Sequence, residues 1–249
     1  MTSIASILAE HGLLIATHNE GKLREIQALL APHRIECCSA SDKDLDEPEE
    51  DGETFIENAM IKSLAAAQIT NMPCLADDSG LVVPALGGDP GIYSARWAGP
   101  DKNFDYAMKS VRIALEAKKQ PLDSEAYFVC VLSLALPEAL LNGTGSESAG
   151  ESALSVLSTA SCKGQEAFTE AKQRFSITTT KLDGVQCINV EGRVYGKLTF
   201  PPRGQMGFGY DPIFIPGGME QTFAEIDSDM KQSISHRANA FKGLIEVIG

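Results

Sequence analysis

Apolar and polar positions along this chain alternate between strand-like and helix-like rhythms, and their order predicts an α/β protein. Gly12-Leu13-Leu14-Ile15-Ala16 is a short apolar run that reads as a buried strand, followed by the polar turn Thr17-His18-Asn19-Glu20-Gly21. From Lys22 to Leu30 the apolar residues Leu23, Ile26, Leu29 and Leu30 have the spacing of an amphipathic helix. Strand, polar loop and helix in that order point backbone N–H groups and the positive end of the helix dipole at the loop, which favours phosphate. Thr54 opens a second helix, predicted to run to about Thr70, with Glu57 three residues on to complete a capping box.

Met72-Pro73-Cys74-Leu75 is apolar and predicts a strand ending at Ala76-Asp77-Asp78-Ser79-Gly80, where a loop begins. Ligands gather at such strand ends in open α/β sheets, and adjacent carboxylates are hard oxygen ligands suited to Mg²⁺ or Mn²⁺. Alone, an Asp-Asp pair is more often a solvated turn. Leu81 to Leu86 then leads into the loop Gly87-Gly88-Asp89-Pro90-Gly91-Ile92-Tyr93-Ser94-Ala95-Arg96, whose glycines and proline predict a tight, preshaped path. Asp101 to Lys119 reads as a helix and Tyr127 to Leu136 as a strand buried on both faces.

From about Leu140 to Phe175 the composition turns to Ser, Gly, Thr, Glu and Ala, which predicts an inserted, weakly packed excursion with a short helix at Glu151 to Ala160. Val185 to Val190 and Gly192 to Leu198 are two further strand candidates, with a hairpin turn expected at Glu191-Gly192. The stretch from Gly204 to Phe214 is dense in glycine and aromatics, so backbone can approach a flat ligand while a ring stacks on it. Lys231 and Ser235-His236-Arg237 precede a helix from Ala238 to Ile248.

With 249 residues, 43% of them hydrophobic, the chain can bury a large core. No apolar stretch approaches the roughly 20 residues of a membrane span, and the N-terminus carries no basic region followed by an apolar one, so a cytoplasmic protein is expected. A net charge of −13 argues against a nucleic-acid-binding surface. A small anionic ligand would need a local cationic cluster set against that field. The six cysteines include no C-x-x-C pair, which speaks against zinc and for free thiols.

Six separated segments together resemble the inosine triphosphate pyrophosphatase family. They are Thr17 to Lys22, Thr54 to Ala59, Asp77 to Leu81, Gly87 to Arg96, Gly207 to Pro212 and Ser235 to Arg237. The main departure is the segment from about Leu140 to Leu182, longer than the family's usual connection. The resemblance implies hydrolysis of ITP, dITP and XTP to the monophosphate and pyrophosphate. It also implies a long twisted mixed sheet flanked by helices, one domain over 1–249 with two lobes around a nucleotide cleft, Mg²⁺ dependence and a homodimer.

Asp78 matches the family's catalytic aspartate, which binds metal and helps activate water. Asp77 is a second candidate for the metal, although neighbours on an extended segment face opposite ways. Glu50 aligns best with the family's other metal carboxylate, with Glu49 beside it; a solvated acidic loop is the alternative. Thr17, His18, Asn19, Glu20, Gly21 and Lys22 match the triphosphate-holding turn, with His18 contributing either its side chain or its backbone alone. Lys62, four residues after Asn58, would extend the cationic side, unless it is a surface lysine. Ser79, Gly209, Tyr210 and Asp211 join the substrate set, Phe208 as the ring stacking on the purine and Lys231 on phosphate. His236 and Arg237 would donate to the 6-oxo group that inosine and xanthine carry and adenine replaces with a donor. A terminal phosphatase, a binding module without turnover and a pyrophosphatase for modified pyrimidines are the competing readings.

Overall fold

A computed structural model describes residues 3–141 and 175–249. In chain order the elements are α1 (Ile4–His11), β1 (Leu13–Ile15), α2 (Glu20–Leu30), β2 (Cys37–Ser39), α3 (Phe55–Thr70), β3 (Cys74–Val82), α4 (Phe104–Ala117), β4 (Glu125–Pro137) and α5 (Glu138–Leu141). They continue with β5 (Phe175–Leu182), β6 (Val185–Leu198), β7 (Phe214–Pro216), α6 (Ser228–Ile234) and α7 (His236–Ile248). Six strands lie in the order β2-β1-β3-β4-β6-β5, and β7 pairs with β6 as the seventh. β1 is parallel to β2 and β3, and the remaining pairs are antiparallel, so the sheet is mixed.

The local signals in the first half of the chain translate directly. α2 starts two residues before the predicted helix, with Asn19 capping it through its side chain. α3 has the capping box: the Thr54 side chain accepts from the Glu57 N–H while the Glu57 carboxylate accepts from the Thr54 N–H. α1, capped by Ser3 and burying Ile7 and Leu8, is an additional helix that the periodicity did not announce.

Three expectations are corrected. The strand from Cys74 does not end before the aspartates: β3 continues to Val82, with Asp77 opposite Leu132 and Asp78 opposite Val131 in the ladder to β4. Thirteen-residue β4 supplies a partner along the whole of β3, so pairing overrides the low strand propensity of Asp. Glu191-Gly192 is not a turn but the middle of the 14-residue β6. Gly192 serves close packing instead, because a Cβ there would overlap the Ala240 nitrogen and the His236 carbonyl of α7. The hairpin turn is Asp183-Gly184, both at positive φ, between β5 and β6. Third, residues 175–182, placed in the departing segment, are strand β5 of the sheet. The helix expected at 151–160 lies outside the described residues.

The two faces of the sheet carry different helices. On one, Leu75 of β3 and Cys130, Leu132 and Leu134 of β4 pack against Ile7 and Leu8 of α1, Ile26 and Leu30 of α2 and Phe241 and Leu244 of α7. On the other, Cys74, Ala76 and Ala135 pack against Ala66 and Ala67 of α3. A further apolar cluster joins Leu81 and Phe128 to α4 and to Tyr210, Phe214 and Phe223. Strand alternation therefore sends Asp77 toward α2 and α7, and Asp78 toward α3.

Candidate active site

At the α2 and α7 face, Asp77 is buried and saturated. Its Oδ1 meets the Lys22 ammonium at 2.5 Å and accepts from Ser79 Oγ at 3.2 Å. Its Oδ2 accepts from Arg237 Nε at 3.0 Å and from the Cys130 thiol at 2.9 Å. Burial alone would raise its pKa, but Arg237 and then Lys22 outweigh this and hold the carboxyl well below the usual range. Lys22 is likewise pulled down by burial and pushed up more strongly by Asp77 and Asp78, so it stays charged.

Arg237, 1% exposed, spends its guanidinium inside the protein. Besides Asp77 it donates from Nη2 to Ser79 Oγ at 3.2 Å and pairs through Nη1 with Glu25. Glu25 also accepts from Lys231 at 2.9 Å, and Lys231 in turn donates to Asp211 at 2.7 Å. Asp211 accepts the Phe208 N–H at 2.8 Å, and burial raises its carboxyl against the pull of Lys231. A chain of alternating charges thus runs from the Phe208 backbone through Asp211, Lys231, Glu25, Arg237 and Asp77 to Lys22.

The α3 face is sparser. Lys62, one turn beyond Asn58 on α3, sits 2.5 Å from Glu50 Oε1 and 3.8 Å from Asp78 Oδ1. Asp78 is 6% exposed, and its Oδ2 is buried without a hydrogen-bond partner. Burial pushes the Asp78 carboxyl up to about 6 in spite of Lys22 and Lys62. A buried carboxylate oxygen left without a partner is costly, and a cation relieves it.

The other expected residues separate into those near this centre and those that turn away. Thr17 Oγ1 accepts the Asn19 N–H, and Asn19 Oδ1 accepts the Lys22 N–H at 3.1 Å, so both shape the turn that aims Lys22. His18 points to the neighbouring loop, its Nε2 bonded to the Leu45 carbonyl. Glu20 is exposed and pairs with Arg24, and Glu49 is exposed. The Phe208 ring lies against Gly21, with the Lys231 ammonium 4.6 Å from its centroid. Tyr210 is a core residue whose hydroxyl donates to the Ser94 carbonyl, so it anchors the loop. His236 is buried and stacked on Phe128; burial, then Arg237 and Lys231, hold it neutral, and its Nδ1 has no partner.

Glu25, Cys130 and Arg96 also belong to this region, although the residue pattern does not single them out as site residues. Glu25 had a usable signal, since it follows Lys22 by three residues on a predicted helix and so shares its face. Cys130 had none, because only the register of β3 against β4 brings it to Asp77.

A divalent cation fits one part of this arrangement and not another. Among the described residues no three His, Cys, Asp or Glu side chains converge as a ready-made cage. Glu50 and Asp78, drawn together by Lys62 and with one oxygen unsatisfied, form the two-carboxylate donor set that suits Mg²⁺ completed by water and phosphate oxygens. Asp77 does not fit: it faces the other side of the sheet, and both its oxygens are taken.

Fold and site together define a mixed α/β protein in which buried lysines pair with carboxylates on both faces of one strand. The chain belongs to the Ham1 family, whose model matches residues 13–247. It is 45% identical over 233 residues to a dITP/XTP pyrophosphatase of Rhodospirillum centenum, covering 94% of this chain and 92% of that protein. A dITP/XTP pyrophosphatase of Zymomonas mobilis is 42% identical, with 94% and 90% covered. Among solved structures, a HAM1 protein from Coxiella burnetii superposes with a TM-score of 0.70 at 32% identity, covering 96% of this chain and 98% of the other.

Proposed function

We propose that this protein hydrolyses non-standard purine nucleoside triphosphates, ITP, dITP and XTP, to the monophosphate and pyrophosphate with Mg²⁺ as cofactor. The observation that carries the reading is Asp78: a buried carboxylate with an unpartnered oxygen, drawn toward Glu50 by Lys62. The names of the relatives support the substrate class. The whole chain, 1–249, is taken as one two-lobed unit, and the homodimer and the cytoplasmic location rest on the resemblance. Among the described residues no helix is long and apolar enough to cross a membrane.

In this reading Glu50 and Asp78 hold the cation, with Mn²⁺ as an alternative. When bound, it neutralises phosphate charge and lowers the cost of attack by water. Asp78, whose carboxyl burial raises to about 6 in the metal-free protein, is ionised at neutral pH, and its unpartnered oxygen is placed to accept a proton from water. The water oxygen forms a bond to the α-phosphorus, and the bond from that phosphorus to the bridging oxygen breaks. Pyrophosphate leaves with the bond's electrons. Lys22, on the helix N-terminus, and Lys62 face the triphosphate.

Phe208 stacks on the purine, and Lys231 approaches the same ring from within. Of the two residues assigned to the 6-oxo group, His236 keeps a ring nitrogen without a partner, whereas Arg237 is committed to Asp77, Ser79 and Glu25. Base selection therefore passes to His236, with Arg237 holding the scaffold behind it. A donor aimed at the 6-oxo group opposes the 6-amino group of adenine, which disfavours ATP.

Incubation with ITP, XTP, GTP, ATP and a panel of modified pyrimidine triphosphates in Mg²⁺, with both products identified, tests the reading. Monophosphate and pyrophosphate from ITP and XTP are expected. Orthophosphate in place of pyrophosphate would make the protein a terminal phosphatase, and binding without turnover would make it a nucleotide-binding module.

A further inference from the structure

Glu50 lies in the irregular stretch between β2 and α3, so nothing in its own backbone pattern fixes the place of its carboxylate. Fixation comes from two other parts of the chain. Arg96, in the turn that follows the Gly-rich loop between β3 and α4, donates from Nη2 to the Glu50 carbonyl at 2.6 Å. The same guanidinium lies over the Tyr93 ring, 5.0 Å from its centroid, which restrains the arginine in turn. Two residues beyond Glu50, the Gly52 N–H donates to Asn58 Oδ1 at 2.9 Å, and Asn58 is buried on α3. The peptide on one side of Glu50 and the chain just beyond it are therefore held from two directions, while Lys62 takes its carboxylate.

We propose that Arg96 is a positioning residue that holds the Glu50 carboxylate beside Asp78 for the divalent cation, an inference that rests on the metal reading above. The arginine side chain is exposed, so a contribution to stability alone would be small. Its contact is made to the backbone of a proposed ligand, and partners that orient a ligand set metal affinity by roughly tenfold or more. Lysine does not replace it fully, because a single ammonium lacks the planar fork that donates to a carbonyl while lying on a ring.

Binding of Mn²⁺ alone to the full chain, followed as loss of the free-ion electron paramagnetic resonance signal, separates this from a structural role. R96A is expected to weaken Mn²⁺ binding about tenfold, in the range for partners of metal ligands, with R96K between it and wild type. Metal-free unfolding midpoints of both variants should match wild type. E50Q should weaken binding by itself, and R96A added to it should cost little more, since the arginine acts through Glu50. Wild-type Mn²⁺ affinity in R96A, with affinity lost in D78N, would overturn the role of Arg96 and leave the metal site standing. Unchanged affinity in D78N would remove the metal site itself, and the inference with it.

Discussion

Asp77 and Asp78 share a peptide bond, yet the two faces of β3 treat the same side chain in opposite ways. Toward α2 and α7, Asp77 meets Lys22, Arg237, Ser79 and the Cys130 thiol, and its charge is more than compensated. Toward α3, Asp78 has Lys62 at 3.8 Å and one oxygen with no partner. One carboxyl is held well below its usual pKa and the other is pushed up to about 6. Asp77 itself is scaffold, since both its oxygens are already used. The unsaturated face is where a ligand gains most by arriving, because it relieves a cost the fold has left in place.

The largest effect that would break this contrast is on the scaffold side. Asp77→Ala should destabilise the protein by about 3–5 kcal/mol in denaturant unfolding, because Arg237 and Lys22 would stay buried with a charge uncompensated. A loss below about 1 kcal/mol would mean that the network is not the support described. On the other face, Asp78→Asn should lower kcat for ITP by a hundred- to a thousandfold, about 3–4 kcal/mol in barrier, with the fold retained by circular dichroism. An active variant would remove Asp78 from its role.

The contrast sharpens with pH. In metal-free protein Asp78 releases its proton near pH 6, whereas in the unfolded chain it does so near 3.8. Between those values the folded state binds more protons, so this residue's contribution to stability falls as pH rises and stays lost above about 6. Asp78→Asn should therefore be more stable than wild type at pH 8 in EDTA, by on the order of 2–3 kcal/mol, and the gap should close toward pH 4. Asp77 has the reverse sign. Its stabilising effect is present above the unfolded value of 3.8 and is lost only as pH falls through its depressed native pKa. Parallel unfolding curves for wild type and Asp78→Asn across this range would contradict the assignment.

The smallest expected effect concerns the thiol behind Asp77. Cys130→Ala removes one of several donors to that carboxylate and should cost about 1–2 kcal/mol, leaving the Mn²⁺ affinity of the other face unchanged. A change in metal affinity would show the two faces to be coupled through the strand.

Part of this arrangement was legible in the residue pattern, and the legible part is local. The strand, turn and helix from Gly12 to Leu30 and the capping box of Thr54 and Glu57 depend on neighbours within a few residues, and the structure has them. Asp183-Gly184 carries an equally local hairpin signal, an Asp-Gly pair at positive φ, whereas Glu191-Gly192 does not turn. The misplaced end of β3 had a different cause. Two aspartates and a glycine read as a loop by propensity, and only the ladder to β4 makes them strand.

By itself, then, the sequence determined which groups are present and the short elements that carry them: the turn aiming Lys22, the helix bearing Lys62 and the motifs shared with the Ham1 family. Tertiary structure decided which face of β3 each aspartate occupies, that Arg237 serves the scaffold, and that Glu25 joins Lys231 to Arg237. The reason is distance along the chain. Arg237 and Asp77 are 160 residues apart, and Arg96 and Glu50 are 46 apart. Their charges find each other only after strand pairing has set the register, which no local periodicity encodes.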